Sequence, residues 1–237
     1  MINMFLMFAF LQMSVQAMNL NHVTVYRPPD VDVSIAKEYL TTLQNMYDTY
    51  STRLESGREG RLKVRLCGSQ YSFAELTGKD SIFSPLWHEG MLYIIARDDI
   101  DGSSYRTKLE TGVIQGVLNE MHENGAPEWL VYSVAVYESG EYKGLTPPPF
   151  GNVKYFSDLD EKMQSVSSET GLSDLLFYLG NTGKFLDMKF GVGSLMRLIH
   201  EFDHMTSFDQ AVESAYHISP STLEDDWRRY LAGFINY

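Results

Sequence analysis

The stretch Ala126-Pro127-Glu128-Trp129-Leu130-Val131-Tyr132-Ser133-Val134-Ala135-Val136-Tyr137 marks the point at which the character of the chain changes. Pro127 is tolerated in the first turn of a helix, and the apolar residues after it recur at helical spacing, so the stretch predicts a helix start. Strand patterns precede it and helical patterns follow it. This order predicts an α+β fold with an α/β lobe over residues 18–125 and a mainly helical lobe over 126–237.

The first lobe is predicted to contain a small mixed sheet with helices. Alternating or continuous apolar residues indicate strands, and apolar residues at intervals of three and four indicate helices. In chain order the elements are a strand at His22–Tyr26, a helix from Ile35 to Leu54 stopped by Gly57, a strand at Leu62–Cys67, a short helix opened by a capping box at Ser72–Glu75 and ended by Gly78, a strand at Met91–Ile95, and a helix from about Tyr105 to Met121.

The second lobe is predicted to be helical apart from a loop at Leu145–Phe150, where three consecutive prolines can continue neither a helix nor a strand ladder. Further helices are predicted at about Val192–Met205, Ser207–Tyr216 and Ser221–Ile235. No strand is expected after residue 125.

Composition limits the partners of the chain. The formal net charge is -12, with 31 acidic against 19 basic residues, so nucleic acid and anionic membrane surfaces are not expected as partners. No segment is long and apolar enough to span a membrane. The single cysteine, Cys67, permits neither an internal disulfide nor a cysteine-based zinc site. Free cysteine is usually buried, and Cys67 is expected to be a buried strand residue.

The first seventeen residues resemble a secretory signal peptide. The apolar run Met4–Leu11 is followed by Val15-Gln16-Ala17, a small-residue cleavage site, although no basic residue precedes the run. Residues 1–17 are therefore predicted to be a signal peptide, which makes the protein exported, periplasmic or extracellular. A buried N-terminal helix is the alternative interpretation.

Ala126–Tyr137 resembles the peptidase-MA-like family, whose members are relatives of the gluzincin zinc metallopeptidases. The family pattern there is roughly aPxWLxEGlAxY, and it follows a helix that carries HExxH. Other features occur in the family order, including a turn at Phe73–Gly78 and a terminal helix with Trp227 and Tyr230-Leu231. The resemblance covers essentially the whole mature chain. It implies a zincin-like fold with a cleft between two lobes.

The resemblance also implies that the metal site is degenerate. In an active member two histidines on one helix face and a glutamate from the next helix hold zinc, while the glutamate between the histidines activates water. Matched to this pattern, Gly112, Val113 and Gly116 stand in place of the HExxH residues, and Tyr132 stands in place of the third ligand. Glycine and valine have no side-chain atom that can coordinate a metal ion, and tyrosine is a rare zinc ligand. The resemblance thus implies no catalytic residue, no metal and no cofactor, and a non-catalytic protein whose cleft binds a peptide or protein.

A literal HExxH is nevertheless present at His200-Glu201-Phe202-Asp203-His204, and Glu224 lies 24 residues after its first histidine. This spacing resembles that of thermolysin-type gluzincins. The alternative hypothesis is therefore an active zinc metallopeptidase with His200, His204 and Glu224 as ligands and Glu201 as general base.

The alternative competes with a simpler interpretation of the same residues. The apolar stripe of this helix leaves His200, Glu201 and His204 mostly on the opposite, solvated side. Glu224 falls in the first turn of a predicted helix, where an acidic residue is already explained by the helix dipole. A purely structural protein is also compatible with the sequence. Trp87-His88-Glu89-Gly90 is either a substrate-facing loop or a polar loop before a strand.

Overall fold

The computed structural model describes residues 15–55, 60–121, 125–149, 153–191, 193–205 and 207–234. The run Met4–Leu11 of the predicted signal peptide and the predicted helix stop Gly57 lie outside these ranges. The described chain has an α+β architecture, with a small mixed sheet in its N-terminal part and helices in the remainder, as predicted. It divides into two compact units between Val117 and Leu118, inside a helix, whereas the sequence placed the division near residue 125.

The sheet has five strands in the order β1-β2-β3-β5-β4. Their bounds are β1 Gln16–Asn19, β2 Val23–Arg27, β3 Leu62–Cys67, β4 Leu86–His88 and β5 Met91–Ile95. The central strands β2, β3 and β5 are parallel, and the two edge strands β1 and β4 are antiparallel to their neighbours. Val25, Val64 and Leu92 lie side by side in register and are fully buried, so they form the centre of the core beneath the sheet.

The helices of the first unit are α1 Val33–Arg53, α2 Gln70–Thr77 and α3 Ser103–Met121, the last of which continues into the second unit. A 3-10 turn lies at Ser81–Phe83. The capping box that opens α2 uses Ser69 and Ser72, so the prediction of a box at Ser72–Glu75 is wrong by three residues. Gly78 ends α2 with a left-handed φ of 67°, as predicted.

The second unit is helical throughout its described part. Its helices are α4 Glu128–Ser139, α5 Ser157–Ser165, α6 Glu169–Phe190, α7 Ser194–Glu201, α8 Phe208–Tyr216 and α9 Pro220–Ala232. The sequence analysis predicted α4, α8 and α9, and it predicted α7 with a C-terminal end four residues too late, but it predicted neither α5 nor α6. Because α6 is 22 residues long and buried along most of its length, the principal missed element is also the central helix of this unit.

Glycines allow α6 to approach α4 closely. A Cβ built on Gly183 would lie 2.6 Å from the Cβ of Tyr137 and 2.9 Å from the backbone oxygen of Ser133, both in α4. A Cβ on Gly180 would collide with the Tyr142 ring just after α4. Residues without a side chain are therefore required on this face of α6.

An aromatic cluster holds the remaining helices of the second unit to α6. The Trp129 and Phe156 rings are stacked with centroids 4.9 Å apart, and Phe156 lies 4.7 Å from the Trp227 ring. The indole N–H of Trp227 donates to the Thr182 hydroxyl of α6 at 3.0 Å, which satisfies the only polar group of that buried ring. The cluster thus joins the beginnings of α4 and α5 to α9 and α6.

Two expectations about the first unit have different outcomes. Cys67 is a buried strand residue, as predicted, and burial raises the pKa of its thiol to about 11, so it is protonated at neutral pH. The predicted cleavage position after Ala17 lies within β1, where Gln16 pairs with Arg27 and its amide oxygen accepts from the Arg27 guanidinium. A chain cut after Ala17 loses half of this edge strand.

The packing of α6 on α4 predicts the effect of an alanine at Gly183. Gly183→Ala gains about 1 kcal/mol of helix propensity but forces a methyl group into backbone and Cβ atoms, which costs about 1–3 kcal/mol. We expect a lower urea midpoint than in the parent. The matched control is Gly171→Ala in the first turn of the same helix, where the nearest atom is the Ser168 hydroxyl oxygen at 3.2 Å. If both variants shift the urea midpoint equally, Gly183 does not lie in close contact with α4.

Candidate functional site

The two glycines at the expected histidine positions face the sheet. A Cβ built on Gly112 would lie 2.8 Å from the Cδ1 atom of Leu92 in β5. One built on Gly116 would lie 2.5 Å from the Cδ1 atom of Leu62 and 3.1 Å from the Trp87 ring. A side chain at Gly112 would therefore share its space with β5, and one at Gly116 with β3 and β4.

The other two degenerate positions lie in different surroundings. Val113 is fully buried in α3. Tyr132 lies in α4 and is half-buried, and burial raises the pKa of its phenol, with the negative charges of Glu141 and Glu128 raising it further. The Tyr132 phenol is therefore neutral at physiological pH. A neutral phenol is a hydrogen-bond donor and acceptor and a poor substitute for a carboxylate ligand.

The segment Trp87-His88-Glu89-Gly90 is a hairpin and not a loop before a strand. Leu86–His88 forms β4, and Glu89 and Gly90 make the two-residue turn to β5, with φ values of 47° and 77°. Positive φ at both central residues defines a type I′ turn, the common turn of tight hairpins. A Glu-Gly pair between an apolar triplet and an apolar run is the sequence signal that could have revealed this hairpin.

The hairpin geometry exposes the backbone of Trp87. A two-residue turn closes on a hydrogen-bonded pair, here His88 with Met91, and the next pair of the ladder, Trp87 with Leu92, is then not hydrogen-bonded. The N–H and C=O of Trp87 consequently point away from β5, toward the outer edge of β4. Among the described strands none pairs with this edge. The sequence analysis considered Trp87 only as part of a possible substrate-facing loop, and it did not identify its backbone as a binding group.

The HExxH residues at 200–204 do not share one continuous helix. The predicted helix from Val192 to Met205 is α7, which ends at Glu201, and the chain continues through turns in which the N–H of Asp203 donates to the carbonyl of His200. His200 and His204 are both exposed, and Nδ1 of His200 lies 3.9 Å from a carboxylate oxygen of Asp203.

Glu224 has a structural contact of its own. Its carboxylate accepts from the backbone N–H of Phe156 at 3.1 Å, so it ties the start of α5 to the first turns of α9. Across the ranges that the structure describes, no three His, Cys, Asp or Glu side chains are grouped closely enough to hold a metal ion. The structure therefore does not bring His200, His204 and Glu224 together as a ligand set.

Comparison with known proteins finds no matching family model, no matching curated protein and no matching solved structure. The peptidase-MA-like resemblance therefore stays a prediction from the sequence. In the part of the chain that the structure covers, no helix is long and apolar enough to cross a membrane.

The packing of α3 predicts that histidines are not tolerated at its glycine positions. Combining Gly112→His with Gly116→His places two imidazoles against Leu92, Leu62 and Trp87, and overpacking of this kind costs about 1–3 kcal/mol per site. We expect a clear loss of stability in urea denaturation. The control is Ser104→His, an exposed position of the same helix, with an expected change within about 0.5 kcal/mol. A double variant as stable as the control would show that this face of α3 is not packed against the sheet.

Proposed function

We propose that the chain is an exported zincin-like protein of the peptidase-MA type that binds an extended peptide segment without cleaving it. The observation that carries the binding part of this proposal is the open outer edge of β4, where the backbone of Trp87 offers one donor and one acceptor. An extended peptide can add to such an edge as a further strand, with main-chain hydrogen bonds supplying affinity.

The zincin-like assignment is supported by the order of the elements. After the edge strand β1 comes a parallel strand–helix–strand unit of β2, α1 and β3. The edge strand β4 and the central strand β5 follow, and α3 comes next, where the family carries its metal helix. The helix α4 then begins at Glu128, inside the stretch that carries the resemblance. This order supports the family placement, although it is less specific than a sequence match.

The non-catalytic part of the proposal is supported by the side chains at the expected metal positions. Gly112 and Gly116 have no side chain, and the Val113 side chain has no atom that can coordinate a metal ion or act as a base. Tyr132 is held neutral by its surroundings. A zincin needs two nitrogen donors, a carboxylate ligand and a general base in one place. Binding is therefore favoured over hydrolysis for this chain.

The proposed function is tested with peptides of defined chemistry. A mixture of N-acetylated, C-amidated hexapeptides is incubated with the protein, and the peptides that co-elute in gel filtration are identified by mass spectrometry. We expect intact peptides to be retained. The best of them is then titrated against Trp87→Ala and Trp87→Pro. Only the proline substitution removes the outward N–H. We therefore expect the Trp87→Pro variant to bind the peptide about fivefold more weakly than the Trp87→Ala variant, a difference of about 1 kcal/mol.

The comparison of the two Trp87 variants is the internal control, because both lack the indole ring. Equal affinity of the two variants would exclude β4 as the docking edge. A mixture from which no peptide is retained would refute peptide binding. Peptides recovered in cleaved form would favour the metallopeptidase alternative with Glu201 as general base.

The metal content gives an independent prediction. We expect the purified protein, dialysed without chelator, to hold well under one zinc ion per chain by elemental analysis, because the expected site offers no donor set. The double variant His200→Ala, His204→Ala should have the same zinc content. Near-stoichiometric zinc that disappears in this variant would establish the rival ligand set of His200, His204 and Glu224.

A further inference from the structure

A cavity of about 490 Å³ lies in the first unit where β5 leads into α3. It is lined by Arg97, Asp99, Gly102, Ser103, Ser104, Tyr105 and Lys108. Its volume falls within the range of small-molecule and peptide-residue pockets. The Ser103 and Ser104 side chains are exposed, so the cavity is open to solvent.

The wall of this cavity is fixed by a buried hydrogen-bond network. The Tyr105 hydroxyl donates to the carbonyl of Ile95 at 3.1 Å and lies 2.9 Å from the Tyr39 hydroxyl of α1. The Tyr39 hydroxyl accepts from the backbone N–H of Arg97 at 3.1 Å. The end of β5, α1 and α3 are therefore joined at this point, and the backbone of Arg97 is held in place.

Two cations in the cavity lack acidic partners. Within the described residues, neither the Arg97 guanidinium nor the Lys108 ammonium forms an ion pair or a side-chain hydrogen bond. The Arg97 guanidinium instead lies 4.6 Å over the Tyr105 ring, which orients it by a cation–π contact. Neighbouring Arg106, by contrast, pairs with Asp101 and Glu110. What distinguishes Arg97 and Lys108 is that both line the same cavity and so bring two side-chain cations to it in a chain of net charge -12.

The charge of the cavity indicates the charge of that ligand. The Asp99 carboxylate is the one acidic group of the lining, and it accepts from the backbone N–H groups of Asp101 and Gly102, each at 3.2 Å. These two amides precede α3, so the Asp99 carboxylate is held by the backbone just before the helix, and the positive charge of the site comes from the side-chain cations. Two positive charges and one negative charge leave about one unit of positive charge, which matches a carboxylate better than a doubly charged phosphate.

We infer that the cavity formed by Arg97, Lys108 and the Ser103-Ser104 hydroxyls binds a carboxylate group, which is the free C-terminal carboxylate of a peptide ligand. A guanidinium donates to both oxygens of a carboxylate, and the ammonium and hydroxyls add further donors. The assignment of the carboxylate to a peptide rests on the proposed function. The existence of the carboxylate site does not rest on the proposed function.

The probe is N-acetylglycine, a carboxylate with one peptide bond, and N-acetylglycinamide is its neutral counterpart. Titration into labelled protein should shift the amide resonances of Gly102, Ser103 and Ser104 with the acid and not with the amide. Arg97→Gln and Lys108→Gln should each weaken binding about tenfold, since each removes a charge-assisted hydrogen bond. Arg106 lies on α3, as Lys108 does, but outside the cavity, so the Arg106→Gln variant should bind N-acetylglycine as the parent does.

Several outcomes would overturn the inference. These are equal shifts with acid and amide, unchanged binding in the Arg97 and Lys108 variants, or inorganic phosphate binding about tenfold tighter than N-acetylglycine. A second arm repeats the hexapeptide selection with free C-termini and should retain more peptide than the amidated mixture. Binding of N-acetylglycine with no retention of either mixture would refute the proposed function and leave the carboxylate site standing.

Discussion

The close approach of α3 to the sheet is the constraint on which the rest of the first unit depends. Gly112 and Gly116 each cost about 1 kcal/mol of helix propensity relative to alanine, and dispersion contacts with Leu92 and Leu62 offset this cost. The same approach brings the helix against the Trp87 ring and so supports the edge strand β4 from one face. Because no described strand pairs with the outer side of β4, this contact supports the short strand from the helix side.

Some basic side chains of the described chain have acidic partners, and others do not. Several basic side chains of the second unit are neutralised locally: Arg228 pairs with Asp225, while Lys189 and Arg229 share Asp226. The surplus of acidic residues makes such pairing easy. Among the residues that the structure describes, Arg97 and Lys108 have no acidic partner, and they line the same cavity. The inferred carboxylate site rests on this shared cavity and not on the lack of partners alone.

The sequence predicted the elements whose signals are local. The strands β2, β3 and β5 and the helix α1 have clear apolar periodicity, and Gly78 stops α2 by its own backbone preference. The helix α6 escaped prediction because Gly180 and Gly183 interrupt its pattern, and their role becomes visible only when α4 and Tyr142 are packed against them. Edge strands β1 and β4 have only four and three residues, which is too short for a clear periodicity, although each pairs with the next strand along the chain. Tertiary packing overrides propensity at these places.

The candidate sites illustrate the same limit. The HExxH motif at 200–204 specifies chemistry only when a continuous helix places its histidines one turn apart, and α7 ends at Glu201, before the second histidine. Its buried residues, Leu195, Leu198 and Ile199, fix one face of the helix and leave His200 on the other. The residues directly after Glu201 include no glycine or proline that would have indicated the end of α7 from the sequence. Sequence spacing also could not predict that Arg97 and Lys108 line one cavity. That arrangement depends on Tyr39 of α1, which holds the end of β5 against the start of α3.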